Sequence, residues 1–222
     1  MTTIAVIDYD MGNLHSACKG LAMAGAETIV TDQAHELETA DAIVLPGVGA
    51  FDPAMQHIRD RHLEQPIKAA IDSGKPFLGI CLGMQILFEY STEGKEPGLG
   101  VVAGGVERFR PEPGITIPHM GWNQLELAQP NCRLWQELGA NPWAYFVHSY
   151  YCVPQDQSII AATTTHGSQR ATVAIARANL MAVQFHPEKS ASDGLKILTN
   201  FVTMVREGMG SQSYPAIAIP TK

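Results

Sequence analysis

A chain of 222 residues that is 45% hydrophobic and 17% charged can bury one large core or two small ones and is not a disordered polymer. Its 15 basic and 22 acidic side chains leave a net charge of −7, which argues against nucleic acid or an anionic membrane surface as the main partner. No apolar run approaches the length of a bilayer span.

The first half alternates in type. The start, MTTIAVIDYDMGN, has no basic leader and meets acids at Asp8 and Asp10, so it is not read as a signal peptide, and a cytoplasmic protein is expected. Thr3–Asp8 predicts a short strand, and Asn13–Gly25 a helix carrying Leu14, Ala17, Cys18, Leu21 and Ala24 near helical spacing. Glu27–Thr31 predicts a second strand with Asp32 capping the turn after it, and Asp41–Leu45 a third, ended by Pro46-Gly47. Residues 51 to 73 read as helix, with a start or break forced at Pro53 and Pro66. Phe77–Ile80 is a fourth strand, and the LGMQILFEY segment after it reads as helical. Apolar strands alternating with helices predict a parallel sheet covered on both faces, with ligands at the carboxyl ends of its strands. The loops DYDMGN, PGVGAF and CLGM fall there.

The second half is richer in strands. Val101–Phe109, Asn123–Leu127, Trp143–Val147, Ser158–Thr165, Ala171–Ala176 and Leu180–Phe185 are short candidates separated by turns. Only Cys132–Leu138 and Ser190–Arg206 read as helical, the latter capped by Ser190 or Ser192. No linker divides the chain, so one domain is expected over residues 1–206. A poorly ordered tail is expected over 207–222, where Gly, Ser and Pro replace any period.

The four cysteines, Cys18, Cys81, Cys132 and Cys152, are scattered and fit neither a disulfide framework nor a zinc site. Cys81 stands apart from the other three, which read as small buried hydrophobes. In GICLGMQ it sits between a strand and a helix, with Gly79 and Gly83 to either side, in the form of a nucleophile elbow. Free amides and the dipole at the helix start favour its thiolate, and the Leu82 amide would face a developing oxyanion. A buried cysteine in a glycine-containing turn would read the same way, so the motif alone leaves both meanings open. His186 closes a strand and is followed by Pro187 and Glu188. In extended backbone, residues i and i+2 share a face, so Glu188 can hold the His186 tautomer while His186 serves as base. PGVGAF could supply a second oxyanion donor at Val48.

GICLGMQ together with QFHPEKS resembles the class I (triad) glutamine amidotransferases, and the likeness runs from about residue 4 to 206. PGVGAF, DYDMGN, PHMGWN and YFVHSYY are similar to the branch of that family that serves a cyclase. The resemblance implies a flavodoxin-like α/β fold, a mixed sheet with a parallel core flanked by helices and extra strands in the second half. It implies a Cys81–His186–Glu188 triad acting on L-glutamine, and an oxyanion hole at Val48 and Leu82. By the same analogy Gly47, Gln85, Glu93, Ser149 and Tyr150 line the glutamine pocket, with Glu93 set to meet the substrate ammonium. No cofactor and no metal are expected. The expected partner is a cyclase subunit, a (β/α)8 barrel bound as a heterodimer, which would receive the ammonia. DYDMGN and PHMGWN are then placed at the subunit face, which nominates Asn13, Met120, Trp122, Asn123 and Lys189, Trp122 reading equally as core packing. The Val48 amide is expected to rest turned away until the partner is loaded. Related sequences often carry glycine where this one has Asp10, which bears on the backbone of that loop. An amidotransferase of another synthase, or a redox-sensing cysteine protein of the same fold, are the other readings.

Overall fold

A computed structural model describes residues 2–208. The parallel half is built from β1 (Thr3–Ile7), α1 (Leu14–Met23), β2 (Glu27–Thr31), α2 (Ala34–Thr39), β3 (Ala42–Gly47), α3 (Phe51–Asp60), α4 (Glu64–Asp72) and β4 (Phe77–Cys81). A single helical turn, α5 (Leu82–Gln85), leads into β5 (Phe88–Ser91) and β6 (Val102–Arg108). The second half adds β7 (His119–Gln124), β8 (Glu126–Leu127), β9 (Trp143–His148), β10 (Tyr150–Pro154), β11 (Ile160–His166), β12 (Gln169–Arg177), β13 (Leu180–Val183) and the long helix α6 (Ala191–Glu207).

One sheet runs β2-β1-β3-β4-β13-β12-β10-β6-β5. Its first five strands are parallel, and β13 to β12 to β10 to β6 run antiparallel. The side-chain period of two decides where the core lies. Ile4, Val6, Val44, Leu78 and Ile80 pack with Leu21 of α1 and Ile197 and Phe201 of α6. Their neighbours Ala5, Ile7, Ile43, Leu45 and Phe77 pack on the opposite face with Met55 and Ile58 of α3 and Ile67 of α4. Both faces are covered, which is why β1, β3 and β4 are apolar at every position but Thr3. A separate antiparallel ribbon, β7 with β9, stands off the sheet with Trp122 opposite Tyr145 and Gln124 opposite Trp143.

The parallel half follows the sequence expectation closely, including the break between α3 and α4. Four differences stand out. LGMQILFEY is not one helix: it turns once and becomes β5, because Phe88 to Ser91 pair with β6. Ala34–Thr39 is helical with only Leu37 buried, too little apolar period to announce itself. Asp32 does not cap that turn; Thr31 Oγ1 accepts the Gln33 amide at 2.8 Å. Cys132–Leu138 holds only a 3-10 turn over Arg133–Trp135. Neither β10 nor the start of β7 is visible in the alternation of the sequence. Ser190 occupies the N-cap position of α6 but makes no cap bond. Its hydroxyl instead donates to the His186 carbonyl at 2.6 Å and accepts the Tyr145 amide at 2.9 Å. Glu207 belongs to α6 and pairs with Arg133, while residues 209–222 of the expected tail lie outside the described residues.

Candidate active site

β3 and β4 end side by side, with Gly47 registered opposite Cys81. The elbow forms because Cys81 takes φ 57° and ψ −113°, a left-handed conformation unusual for a residue with a side chain. It also needs close backbone approach. A Cβ on Gly83 would fall onto the carbonyl of Leu45, and one on Gly79 would sit 2.8 Å from the carbonyl oxygen of Gly83. Both glycines of GICLGMQ are therefore required by packing, one against β3 and the other against α5. With four residues α5 has a small macrodipole, so the local gift to Cys81 is its unpaired first-turn amides, Leu82 foremost.

His186 follows β13, the strand beside β4. The segment after it is not extended as expected but turns as a 3-10 helix over Pro187–Lys189, and it is this turn that lets His186 Nδ1–H donate to Glu188 Oε1 at 2.9 Å, with both side chains almost wholly buried. That bond fixes the tautomer and leaves Nε2 for the thiol. Burial pushes the imidazole pKa down, but its interactions with Cys81 and Glu188 outweigh this and raise it to about 9. His186 therefore holds its proton more readily than an ordinary imidazole. Its amide donates to the Tyr145 carbonyl at 3.2 Å, tying the segment to β9.

Cys81, Leu82 and His186 open into a cavity of about 280 Å³ whose walls also include Val48, Gly49, Gln85, Glu93, Ser149 and Tyr150. Gly47 does not line it; that residue is buried behind the wall, where a Cβ would collide with the Tyr9 hydroxyl. The Val48 amide donates to the Met11 carbonyl at 2.7 Å, so it is engaged with the DYDMGN loop. Glu93 accepts the Phe51 amide at 2.9 Å through Oε2 and so anchors the start of α3. Gln85 has both amide protons committed, to the Tyr150 carbonyl at 3.1 Å and to Gln184 Oε1 at 3.0 Å. Only its own oxygen is left for a ligand.

Sequence reasoning missed Gly49, Pro118, Val147 and His148 in the wall, and it missed what stands behind His148. The His148 Nδ1–H donates to the Tyr150 carbonyl at 2.8 Å. Its Nε2 must then accept from His119 Nδ1 at 3.1 Å, and His119 Nε2 accepts from Asn123 Nδ2 at 3.1 Å. Each bond fixes the direction of the next, and both rings must be neutral. Burial is the main cause: it pulls His148 to about 3, against the lift from the Tyr150 bond, with His119, His166 and His186 adding to the fall. Burial and then His166 pull His119 to about 4.

Of the nominated surface residues, Met120 and Trp122 are 62% and 50% exposed, which removes core packing as the role of Trp122. Lys189 is exposed beside the cluster. Asn13 is the N-cap of α1, accepting the Ser16 amide at 3.3 Å. The Asn123 amide is turned inward, to His119 and to the Thr165 carbonyl at 2.9 Å. Asp10 takes φ 64° and pairs with Arg61, so the residue standing where glycine is common adopts a glycine-like backbone. Among the described residues, no group of three or more His, Cys, Asp and Glu side chains is arranged to hold a metal, and no helix is long and apolar enough to cross a membrane.

The family model for glutamine amidotransferase class-I matches residues 5–205. The imidazole glycerol phosphate synthase subunit HisH of Gloeothece citriformis (strain PCC 7424) is 69% identical over 206 residues, covering 93% of this chain and 98% of that protein. The subunit of the same name from Nostoc punctiforme (strain ATCC 29133 / PCC 73102) is 69% identical over 207 residues, with 93% and 98% covered. Among solved structures, PurLQS from Thermotoga maritima superposes with a TM-score of 0.71 at 20% identity, covering 92% of this chain and 99% of that one. The Trypanosoma brucei CTPS glutaminase domain superposes with a TM-score of 0.64 at 17% identity, covering 93% and 94%. At those identities the superpositions speak for the fold alone. The family match is of another order, since it runs unbroken from β1 into α6 and takes in the cysteine turn, the cavity wall and the His186 segment: the chain belongs to the class-I glutamine amidotransferases.

Proposed function

We propose that this chain is the glutaminase subunit of an imidazole glycerol phosphate synthase, a step of histidine biosynthesis. It hydrolyses L-glutamine to glutamate and ammonia and passes the ammonia to a cyclase subunit. The supporting observation is the convergence of Cys81 and His186 on a cavity large enough for an amino acid, with Glu188 bonded to His186. The 69% identity over 98% of relatives bearing that subunit's name supports the choice of synthase.

In this reading the Cys81 thiolate attacks the side-chain amide carbon of glutamine. The oxyanion is met by the Leu82 amide. His186, protonated at neutral pH, gives its proton to the amide nitrogen, the carbon–nitrogen bond breaks, and ammonia leaves. Water then attacks the thioester, His186 takes its proton, and glutamate departs with the Cys81 thiolate and the protonated His186 restored. Glu188 keeps the His186 ring oriented through both half-reactions. The free Glu93 Oε1 and the Gln85 oxygen are the acceptors for the substrate ammonium, and Ser149 and Tyr150 form the facing wall. The second oxyanion donor, Val48, is held by Met11 until the loop turns over. The subunit on its own is therefore slow.

Replacement Cys81→Ala tests the assignment. With partner and nucleotide substrate present, glutamine-dependent turnover falls below detection while ammonia-dependent cyclisation persists. Residual glutaminase activity at the wild-type level in that variant would refute the role of Cys81.

A further inference from the structure

Gln184 lies one residue beyond β13 and two before His186, and it is wholly buried. Its amide proton continues the ladder to β12 by donating to the Val173 carbonyl at 2.8 Å. Its side chain does something the packing of a core strand does not ask for. Nε2 donates to the Cys81 sulfur at 3.7 Å, a normal length for a sulfur acceptor, while Oε1 accepts from Gln85 Nε2 at 3.0 Å. The Gln85 bond decides which way the amide faces, because an inverted Gln184 would set two amide donors against each other. Gln85 is itself oriented by the Tyr150 carbonyl.

Gln184 and His186 lie two residues apart on the bend that follows β13, and both reach Cys81 from it. One brings a neutral donor and the other the proton carrier. A neutral thiol is a poor acceptor, and burying a primary amide for such a bond alone is unfavourable compared with an apolar side chain. A thiolate is a strong acceptor, and hydrogen bonds to charged groups are roughly twice as strong as neutral ones. The arrangement therefore stabilises the sulfur only when it is charged. We propose that Gln184 is a fourth catalytic group of this site, holding the Cys81 sulfur anion through its Nε2–H. No proton moves along this bond. It is strongest on the free thiolate and relaxes when the sulfur is acylated.

The proposal rests on the glutaminase reading for its use, but it can be tested without it. Alkylation of Cys81 in the full chain by iodoacetamide is followed by mass spectrometry of the Cys81 peptide from pH 5 to 10. Gln184→Met keeps the length and removes the donor; Gln184→Asn keeps a neutral amide but draws its donor back from the sulfur, and neither adds a charge beside Cys81. In both, the pH midpoint of alkylation moves up by about one unit and the rate below the midpoint falls about tenfold, the equivalent of one lost charge-assisted bond. Partner-stimulated kcat falls with it while KM for glutamine changes little. Circular dichroism melts establish that the variants fold, and the Asn variant carries the test if the Met variant does not. Unchanged alkylation midpoints in folded variants overturn the role of Gln184. A shifted midpoint in a chain that never turns over glutamine sustains the bond to sulfur and refutes the glutaminase reading instead.

Discussion

At the scale of single residues the site is a matter of where side chains are forbidden. Cys81 carries left-handed backbone strain of about 1–3 kcal/mol, and the surroundings hold it there by close backbone packing. The Leu45 carbonyl occupies the space a Gly83 side chain would need. Neither partner in that contact is the end of a flexible side chain, so the clash cannot be relieved by a rotamer. Gly83→Ala is therefore expected to cost about 3 kcal/mol of stability, seen as a lower urea midpoint, and to pull Cys81 out of line with His186. An alanine variant of wild-type stability would show that α5 can lift from β3 without loss. The meaning of the two glycines was legible in GICLGMQ as cleared space. What they clear it for, the Leu45 carbonyl and the turn of Gly83, needs a contact across the sheet that no local pattern reports. Gln184 was hidden for a different reason: a lone polar residue in an apolar strand run gives no period, and its partners lie 99 and 103 residues away.

At the scale of elements, the legible parts are those whose faces are set by burial on both sides. β1, β3 and β4 announce themselves because every position but Thr3, the first of β1, is apolar. β5 does not: Leu82 to Tyr90 has good helix formers, and its strand exists only because β6 offers a ladder. The β7–β9 ribbon was half legible. Its inner face holds His119, Ala144, Phe146 and His148, and no local pattern joins its two histidines until the pairing brings them together. His119 stacks on Phe146 with centroids 4.7 Å apart. The neutral state of this pair has a consequence for stability. Both folded pKa values, about 4 and about 3, lie below the ordinary 6.5. Their stabilisation is complete above pH 6.5 and is lost as pH falls toward those values, because only the unfolded chain takes up the protons. His186, raised to about 9, acts the other way: its contribution is complete below 6.5 and is lost as pH rises through 9. His119→Gln keeps a donor and an acceptor but cannot titrate. Its unfolding free energy, from urea titrations between pH 6.5 and 4.5, should fall less steeply than the wild type, by about 1.4 kcal/mol per pH unit for the missing proton. Equal slopes would mean that His119 is charged in the folded protein.

At the scale of the whole molecule, the outer face of the same ribbon joins a proposed partner surface to the reacting residues. Met120, Trp122 and Trp143 are each about half exposed or more, and aromatic and methionine side chains gathered in this way suit an interface. Val147 on that face lines the cavity. Tyr145, opposite Trp122, lends its carbonyl to the His186 amide and its amide to Ser190. A partner pressing on Trp122 thus bears on the strand that holds the His186 segment, while the Val48 amide waits on Met11 across the cavity. On the proposed function, loading the partner has to release that amide, so glutaminase activity of the isolated chain is low and rises with partner and again with the partner's nucleotide substrate. Trp122→Ala should leave the unfolding midpoint near wild type, since half the ring already faces solvent. It should weaken partner binding about 30-fold, as expected for a central aromatic anchor worth about 2 kcal/mol, measured by calorimetric titration. At saturating partner the variant's stimulated turnover also stays below that of the wild type if Trp122 transmits as well as binds. Wild-type affinity in the variant would remove this face from the interface, and an isolated chain already turning over at the complex's rate would remove the need for a gate at Val48.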